Sequence, residues 1–221
     1  MDRSTYDQTR RSLHALAELV VAGPRFRQTA ELALRVRTAG FATREDPLVA
    51  VVRGDLVTDQ GSFPVDGLSY EQVASRAGLV ATRLEDVYAD GAHVDPSESV
   101  RLDLAAAAEL QDALVLGDRA LAEFSPDTER LLWPEHFDVS ITVDEVDYGV
   151  SPGDAWCAEP YAYVGPHQPP SGAFWNAPFG AARPLSDLSD VASVTAFFRD
   201  GAGRADRTSP QPVPSRPGGE R

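Results

Sequence analysis

The chain has 221 residues, which is enough for one large domain or two small ones with a substantial buried core. Its apolar fraction of 43% and charged fraction of 24% are ordinary for a soluble globular protein, and no apolar run approaches the roughly 18 residues of a membrane helix. A formal net charge of −14 disfavours nucleic acid and anionic lipid as partners, because both repel an acidic surface.

Residue usage narrows the chemistry further. All 20 basic residues are arginine, so the chain has no lysine for a Schiff base, a P-loop or the strand position of a protein kinase. A lone cysteine, Cys157, excludes an internal disulfide framework and a multi-thiolate metal cage. The N-terminal sequence MDRSTYDQTRRS lacks the apolar segment of a signal peptide, and we therefore expect a bacterial protein of the cytoplasm.

The N-terminal part of the chain predicts one helix followed by strands. Apolar residues recur at helical spacing over residues 4–22, and Gly23 with Pro24 predicts the end of that helix. Alternation over residues 32–37 indicates a half-buried strand. Residues 47–65 predict two more strands around a glycine-containing turn.

The middle of the chain predicts two helices. Ser69 and Gln72 form a capping box for a short helix that ends near Gly78. Residues 103–124 are rich in alanine and leucine and give the strongest helix pattern in the chain. His93 lies in a polar, glycine-flanked loop between these helices, where we expect it to be exposed.

The C-terminal part predicts strands and a last helix. Residues 137–143 and 159–165 have strand character, and we expect them to pair as a long hairpin. Ser186 is the expected N-cap of a final helix, and Gly201 is its expected end.

The grouping of these elements indicates the fold class. Strands that come in hairpin-like clusters predict an α+β fold, in which a largely antiparallel sheet of hairpins packs against several helices. We assign residues 1–201 to one such domain and residues 202–221 to a disordered tail rich in proline, glycine and arginine. No G-x-G-x-x-G motif follows a strand, so the fingerprint of a dinucleotide-binding fold is missing.

The sequence WPEHFDVSITV, residues 133–143, concentrates polar groups in front of a strand. Strand alternation places Asp138, Ser140 and Thr142 on one face, and His136 joins them if the strand begins that early. The alternative is that these side chains form a solvated sheet face while His136 bonds a neighbouring backbone group.

The same stretch permits a metal hypothesis. His136 and Asp138 have the His-x-Asp spacing of a two-histidine, one-carboxylate iron site. His167 is then the candidate third ligand, and Arg183 is a candidate anion clamp for a co-substrate. This site remains an alternative interpretation, and the cofactor stays unknown.

Two further segments contain candidate binding residues. The motif SPGD at residues 151–154 predicts a type II turn, in which Asp154 accepts bonds from the backbone amides that follow it. Glu159, Tyr161 and Tyr163 then place an acid beside two phenols, which would line a pocket for a polar ligand or lie under a covering loop.

The covering loop is the aromatic segment SGAFWNAPFGA. Its large or polar side chains, Phe174, Trp175, Asn176 and Phe179, either cover a core or form one wall of a binding cleft. We favour the first interpretation, in which this loop is a lid that covers a core.

Four sequence blocks in order carry a resemblance. With WPEHFDVSI, YGVSPGD, EPYAYVGP and FWNAPFGA, the chain resembles an uncharacterised bacterial family, a domain of unknown function with Trp-Pro-x-His-Phe-Asp, Ser-Pro-Gly-Asp and Glu-Pro-Tyr blocks. The resemblance covers residues 133–198, includes the N-terminal sequence SLHALAELVVAGPRFRQTAELALRV as well, and brings no established activity with it. It implies that the polar and aromatic residues of these blocks lie together in space: Trp133, His136, Asp138, Asp154, Glu159 and Tyr161.

Three functions remain open on the sequence. The first is binding of a small polar ligand in a pocket beside the C-terminal hairpin, by residues drawn from the segments described above: Trp133, His136, Asp138, Asp154, Glu159, Tyr161, Trp175 and Asn176. The second is a metal-dependent or acid–base enzyme centred on His136, Asp138 and Glu159. The third is a structural partner subunit, and the oligomeric state stays unknown.

Overall fold

A computed structural model describes residues 2–168, 170–188 and 190–205. Its α-helices are α1 (Arg3–Ala15), α2 (Gly23–Thr29), α3 (Tyr70–Arg76), α4 (Leu104–Phe124) and α5 (Val191–Ala205). A π-helix, Leu16–Ala22, joins α1 to α2. The strands are β1 (Leu34–Arg37), β2 (Gly40–Thr43), β3 (Val49–Val52), β4 (Asp55–Thr58), β5 (Gly61–Pro64), β6 (Leu131–Trp133), β7 (Asp138–Val143), β8 (Val146–Ser151), β9 (Tyr161–Pro166) and β10 (Ala181–Pro184).

In the described residues, the ten strands form one antiparallel sheet in the order β10-β9-β8-β7-β6-β1-β2-β3-β4-β5. Each half of this sheet is a meander of consecutive strands, and the two halves meet where Leu34 of β1 pairs with Leu132 of β6. The predicted α+β class with a largely antiparallel sheet is therefore confirmed.

The long helices cover one face of the C-terminal meander. Helix α4 packs on β7 and β8, and α5 packs on α4 and β9. Two helix glycines permit this close approach. A Cβ on Gly117 would lie 2.6 Å from Cβ of Val150, and a Cβ on Gly201 would lie 2.7 Å from Cγ2 of Val164. Because the helices pack on this face, a binding site would lie on the opposite face of β7, β8 and β9.

The first helix does not end where the sequence predicts. It continues through Gly23 and Pro24, because Pro24 lies in the first turn of α2, where a missing N–H costs little. In the π-helix the Gly23 amide donates to the Glu18 carbonyl, so the Leu19 carbonyl would next face the nitrogen of Pro24, which has no hydrogen. The amide of Thr82 donates to that Leu19 carbonyl instead, at 2.9 Å.

The short helix and the long helix follow the prediction closely. Ser69 and Gln72 make both bonds of the capping box of α3. Helix α4 begins after Asp103, whose side chain accepts a bond from the Ala106 amide. Local cap chemistry decides both starting points, which explains why they are readable from sequence.

The predicted pairing of the two C-terminal strands is wrong. Strand β8 lies between β7 and β9, and the chain reaches it through a tight turn in which Asp144 and Glu145 have φ values of 51° and 61°. Two positive φ values are the signature of a type I′ hairpin turn, which the acidic side chains concealed in the sequence. Four other strands, β2, β5, β6 and β10, also lacked a predicted counterpart.

The last helix is displaced from its predicted bounds. Ser186 lies in a turn, and α5 begins after Asp190, whose carboxylate accepts a bond from the Ser193 amide at 2.8 Å. The helix passes through Gly201 and extends to Ala205, the last residue that the structure describes, so residues 202–205 are helical rather than part of the tail. The rest of the predicted disordered tail, residues 206–221, lies outside the described residues.

Among the described residues, the helices are all too short or too polar to cross a membrane.

Candidate functional site

Three adjacent strands present the polar face of the C-terminal meander. Register pairs Thr142 with Asp147, Ser140 with Gly149, and Tyr163 with Gly149 from the other side. Side-chain alternation therefore places a set of residues from β7, β8 and β9 on one face: Asp138, Ser140, Thr142, Asp147, Gly149, Ser151, Tyr161, Tyr163 and Gly165. The predicted shared face of Asp138, Ser140 and Thr142 is confirmed, but Asp138 and Ser140 are buried rather than solvated.

The turn before β7 positions His136. Residues 134–137 connect β6 to β7, and the amide of Phe137 donates to the carbonyl of Trp133 at 2.8 Å. Phe137 has a φ of 52°, a left-handed conformation that is uncommon for a bulky residue and that needs support from its surroundings. His136 therefore belongs to a turn, where its side chain is 55% exposed, and not to the strand.

Phe137 receives that support from both sides. The imidazole of His14 on α1 stacks on its ring with centroids 5.6 Å apart, and Phe41 of β2 meets it edge to face at 5.5 Å. Nε2 of His14 lies 2.7 Å from the Pro134 carbonyl oxygen, to which a neutral imidazole donates. Burial lowers the pKa of His14 to about 4. Helix α1 is thereby fixed to the turn that carries His136.

A cavity of about 1050 Å³ opens on the polar face. Helix α1, the loop at residues 90–93, the turn at residues 135–137 and strand β9 all border it. The four histidines of the chain lie far apart in sequence, and all of them border this one cavity: His14, His93, His136 and His167. Cavities of this size are typical of small-molecule sites.

Asp138 and Tyr163 form the polar centre of the cavity wall. The hydroxyl of Tyr163 donates a hydrogen bond to Oδ2 of Asp138. Asp138 is only 4% exposed, and its Oδ1 is buried without a hydrogen-bond partner among the described residues. Burial raises the pKa of Asp138 to about 6, although the bond from Tyr163 and the nearby His136 oppose that rise. Burial also raises the pKa of Tyr163 well above its usual value, so the phenol keeps its proton.

A glycine on the middle strand makes room for the tyrosine. A Cβ on Gly149 would lie 2.5 Å from Cζ and from Oη of Tyr163. The ring of Tyr163 therefore lies flat across β8 and reaches Asp138 on the strand beyond it. This glycine, placed opposite Tyr163 in the register, is what allows a bond between residues of non-adjacent strands.

The SPGD turn holds a second carboxylate–phenol pair. Gly153 has a φ of 101°, as a type II turn requires. Oδ1 of Asp154 accepts bonds from the amides of Trp156 and Cys157 at 2.8 and 2.9 Å, which confirms the predicted role of this aspartate. Its Oδ2 accepts a bond from the Tyr161 hydroxyl at 2.6 Å. In contrast to Asp138, both oxygens of Asp154 are satisfied.

An aromatic wall faces these polar groups. The rings of Trp156, Tyr161 and Phe179 meet with centroid distances of 5.3 Å for Trp156 and Tyr161 and 5.1 Å for Trp156 and Phe179. Trp156 is 45% exposed although it is large and apolar. An exposed tryptophan at the edge of a cavity is typical of a surface that a ligand covers.

A buried glutamate positions the loop that closes one side. Glu18 of the π-helix is 3% exposed, and its carboxylate accepts a bond from the Ala92 amide at 2.7 Å. A Cβ on Gly91 would lie 2.6 Å from Oε2 of Glu18, so glycine is needed for this approach. Burial raises the pKa of Glu18. The π-helix therefore places His93 and its neighbours at the cavity border, and His93 is exposed, as the sequence predicts.

Four of the eight predicted ligand residues border the cavity: His136, Asp138, Asp154 and Tyr161. The prediction that Glu159 joins them is wrong. Strand β9 begins only at Tyr161, so alternation does not extend to Glu159, which lies at a separate cavity of about 520 Å³. Its carboxylate pairs there with Arg3 at 3.3 Å.

The other three predicted residues have structural contacts. Trp133 pairs with Asp138 in the register of β6 and β7 but is not part of the cavity border. Trp175 packs against Phe174 over the core, as the lid interpretation expects. Asn176 exchanges two bonds with the backbone of Ala182, at 3.1 and 2.9 Å, and so fixes the loop to β10. Phe179, from the same loop, is instead part of the cavity wall.

The metal set is not assembled. Across residues 2–168, 170–188 and 190–205, no group of three or more His, Cys, Asp or Glu side chains is arranged to hold a metal ion. His167 lies 3.6 Å from Asp147 and His136 lies 3.5 Å from Glu135, which are different partners from those the iron hypothesis requires. Arg183, the candidate anion clamp, lies over the ring of Phe197 at 5.8 Å.

Sequence reasoning missed several cavity residues. Arg10 and His14 come from α1, more than a hundred residues away from β7, and no local pattern links them to it. Trp156 and Phe179 were also missed as a pair. Gly149 was the available signal, because a glycine inside a strand indicates a close approach by another group.

No family model, curated protein or solved structure matches this chain. The resemblance to an uncharacterised bacterial family therefore stays a prediction. What the protein does has to be inferred from its own residues and their geometry.

Proposed function

We propose that the protein binds a small polar ligand in the cavity on the polar face of β7, β8 and β9. The observation that carries this proposal is Asp138, a carboxylate at the cavity wall with one buried oxygen that lacks a partner in the described part of the chain. A buried polar atom without a hydrogen bond costs about 1–3 kcal/mol. A ligand that donates to it removes that cost.

The surroundings of Asp138 support ligand binding over a purely structural role. The cavity combines an apolar wall with a few fixed polar groups, which is the usual composition of a small-molecule site. Two of those polar groups, Asp138 and Asp154, are each held by a tyrosine hydroxyl. Such fixation limits the entropy that binding would cost.

The chain's composition supports a small molecule over other partners. A net charge of −14 opposes nucleic acid. A cytoplasmic location is part of the proposal and agrees with the single cysteine.

A fragment screen tests the proposal. Isotope-labelled protein is mixed with small polar fragments, and amide shifts of cavity residues are followed by NMR. Gly165→Leu projects a branched side chain into the cavity, because Gly165 borders it and a Cβ there meets nothing closer than 3.4 Å. Glu159→Gln is the matched control outside the cavity.

We expect fragments to shift cavity amides in the native chain and in Glu159→Gln, and to bind more weakly to Gly165→Leu. Fragments that bind equally well to Gly165→Leu, or an absence of cavity shifts in the native chain, would refute the proposal.

A second candidate function is proton transfer. Asp138 has a pKa of about 6 and a phenol partner, which is a suitable arrangement for a general acid or base. The acid–base trio expected from sequence does not support this candidate, since Glu159 lies elsewhere. Asp138 alone, with Tyr163 as a positioning residue, carries it. Conversion of a bound fragment that Asp138→Asn abolishes while binding persists would support it.

A further inference from the structure

Acidic side chains outnumber arginines at the border of the cavity. Among the described residues, six carboxylates and two guanidinium groups border it. Both arginines already have acidic partners. Arg10 lies 3.3 Å from Asp7, and Arg11 pairs with Glu98, a residue outside the cavity border, at 2.9 Å. The cavity therefore carries an excess of negative charge.

Among the described residues, two border carboxylates have a buried oxygen without a hydrogen bond: Asp7, which forms an ion pair with Arg10 at 3.3 Å, and Asp138, which is in no ion pair. Asp154 has three donors, Asp147 accepts from Thr142 at 2.6 Å, and Glu135 lies beside His136. Asp138 accepts one bond from a neutral phenol and keeps a buried oxygen without a partner in the described chain. A buried carboxylate is strongly stabilised by a cationic donor.

The aromatic wall also favours a cationic ligand. The side chains of Trp156, Tyr161 and Phe179 pack together on the border of the same cavity as Asp138. Aromatic faces attract cations, tryptophan most strongly, and they also accept an apolar body. A group that is both cationic and apolar uses Asp138 and the wall together.

One observation favours an anionic ligand instead. Nη1 of Arg10 is buried without a partner among the described residues, close to Gly153. Its guanidinium is nevertheless neutralised by Asp7 through Nη2. An acceptor on the ligand would suit Nη1, but the charge of this end of the cavity does not require an anion.

We propose that the ligand is a small organic cation, a protonated amine with an apolar or aromatic body, whose ammonium group binds Asp138 while its body packs on Trp156. This inference rests on the proposed function and adds the chemical class of the ligand. The ammonium supplies the donor that Oδ1 of Asp138 lacks.

A charge series tests the inference. Benzylamine, benzyl alcohol and benzoate share one body and differ in charge at a single position. Their dissociation constants at neutral pH are measured from NMR shifts of cavity amides. We expect the benzylammonium ion to bind about tenfold more tightly than benzyl alcohol, as an extra charge-assisted hydrogen bond provides, and benzoate to bind most weakly.

Three variants assign the effect. Asp138→Asn removes the charge at the same shape and is expected to abolish the tenfold preference for benzylammonium over benzyl alcohol. Trp156→Leu changes an exposed residue and is expected to weaken benzylammonium by a few-fold while the preference for it remains. Glu159→Gln, a carboxylate-to-amide change outside the cavity, is expected to change neither.

The outcomes separate this inference from the proposed function. Equal binding of benzylamine and benzyl alcohol, tighter binding of benzoate, or no cavity shift with any of the three would overturn the cation inference. The fragment screen with Gly165→Leu judges the binding site independently of ligand charge. If Asp138→Asn does not fold, the charge series on the native chain and on Trp156→Leu still decides.

Discussion

The hydroxyl of Tyr163 on β9 donates a hydrogen bond to Oδ2 of Asp138 on β7, across the intervening strand β8. Gly149 of β8 makes this reach possible, because any side chain there would occupy the position of the tyrosine ring. The pair fixes one carboxylate oxygen and leaves the other without a partner in the described chain. The first four predictions concern this pair and the groups that hold the cavity around it.

Replacing Asp138 with Asn should change how stability depends on pH. The folded-state pKa of Asp138 is raised to about 6, above the usual value near 4 in an unfolded chain, so the folded protein binds the extra proton between these values. Asp138 therefore stabilises the fold fully below about pH 4, and this contribution is lost as pH rises through about 6. Relative to Asp138→Asn, the native chain should lose on the order of 2 kcal/mol of unfolding free energy between pH 4 and pH 7.

Urea denaturation of both proteins across this pH range measures the difference. Glu159→Gln serves as the control and should follow the native curve. Parallel curves for the native chain and Asp138→Asn would show that Asp138 titrates normally.

Tyr163→Phe should raise the pKa of Asp138 further. The Tyr163 hydroxyl lowers that pKa by its bond to the ionised carboxylate, and phenylalanine keeps the ring without the donor. The loss of this bond should also cost about 1–3 kcal/mol at neutral pH. NMR titration of the Asp138 carboxyl carbon measures the pKa. Tyr161→Phe, which removes the donor to Asp154 instead, should leave the pKa of Asp138 nearly unchanged.

Gly149→Ala should displace Tyr163. The added Cβ would lie 2.5 Å from the tyrosine ring, so the ring must move and its bond to Asp138 must break. Gly165→Ala is the matched control, because it lies on the same face and its Cβ would meet nothing closer than 3.4 Å. Thermal unfolding should show a loss of about 1–3 kcal/mol for Gly149→Ala. A loss of equal size for Gly165→Ala would mean that the register at Gly149 has no special role.

Glu18→Ala should release the loop that carries His93. The Glu18 carboxylate holds the Ala92 amide, and alanine leaves that amide without its acceptor. Hydrogen exchange at residues 90–93 should accelerate strongly, while exchange in α4 stays as in the native chain. Glu18→Gln keeps an acceptor and should exchange more slowly than Glu18→Ala. Unchanged protection at Ala92 in Glu18→Ala would contradict the proposed role of this glutamate.

The contribution of His14 to folding stability should fall as pH falls, whereas the contribution of Asp138 rises. Its pKa is lowered to about 4, below the unfolded value near 6.5, so the unfolded chain binds the proton first as pH falls. The neutral imidazole thus stabilises the fold above about pH 6.5, and that contribution is lost as pH falls toward 4. His14→Phe keeps a ring against Phe137 but loses the bond to Pro134. It should be less stable than the native chain at pH 7, by about 1 kcal/mol, and more stable than the native chain at pH 4, because the native chain loses on the order of 3 kcal/mol between these pH values.

Local chemistry explains which parts of the fold were predictable. The capping box of Ser69 and Gln72 and the amide bonds of Asp154 involve residues within three positions, so the sequence states them directly. Strand β8 was not recognisable, because an acidic turn precedes it and Gly149 interrupts its pattern. Gly23 and Pro24 wrongly predicted the end of the first helix. The Leu19 carbonyl, which Pro24 leaves without a helical donor, accepts a bond from the Thr82 amide of a distant loop.

The candidate site was predictable only in part. Alternation along one strand placed Asp138 on the correct face, and the SPGD turn placed Asp154. The prediction that Glu159 borders the site was wrong, because strand β9 begins two residues later than the pattern suggested. Arg10 and His14 come from the first helix, and only tertiary packing brings them to the cavity. The buried, unpaired state of Asp138 depends on all of these contacts and cannot be read from any one segment.

The pKa of Asp138 in the presence of benzylammonium tests the central claim most directly. It is measured by carboxyl-carbon NMR of labelled aspartate, with the resonance assigned by its absence in Asp138→Asn. If the ammonium group binds the free oxygen of Asp138, saturating benzylammonium should lower this pKa well below its value in the ligand-free protein. An Asp138 pKa that does not respond to benzylammonium would contradict the account.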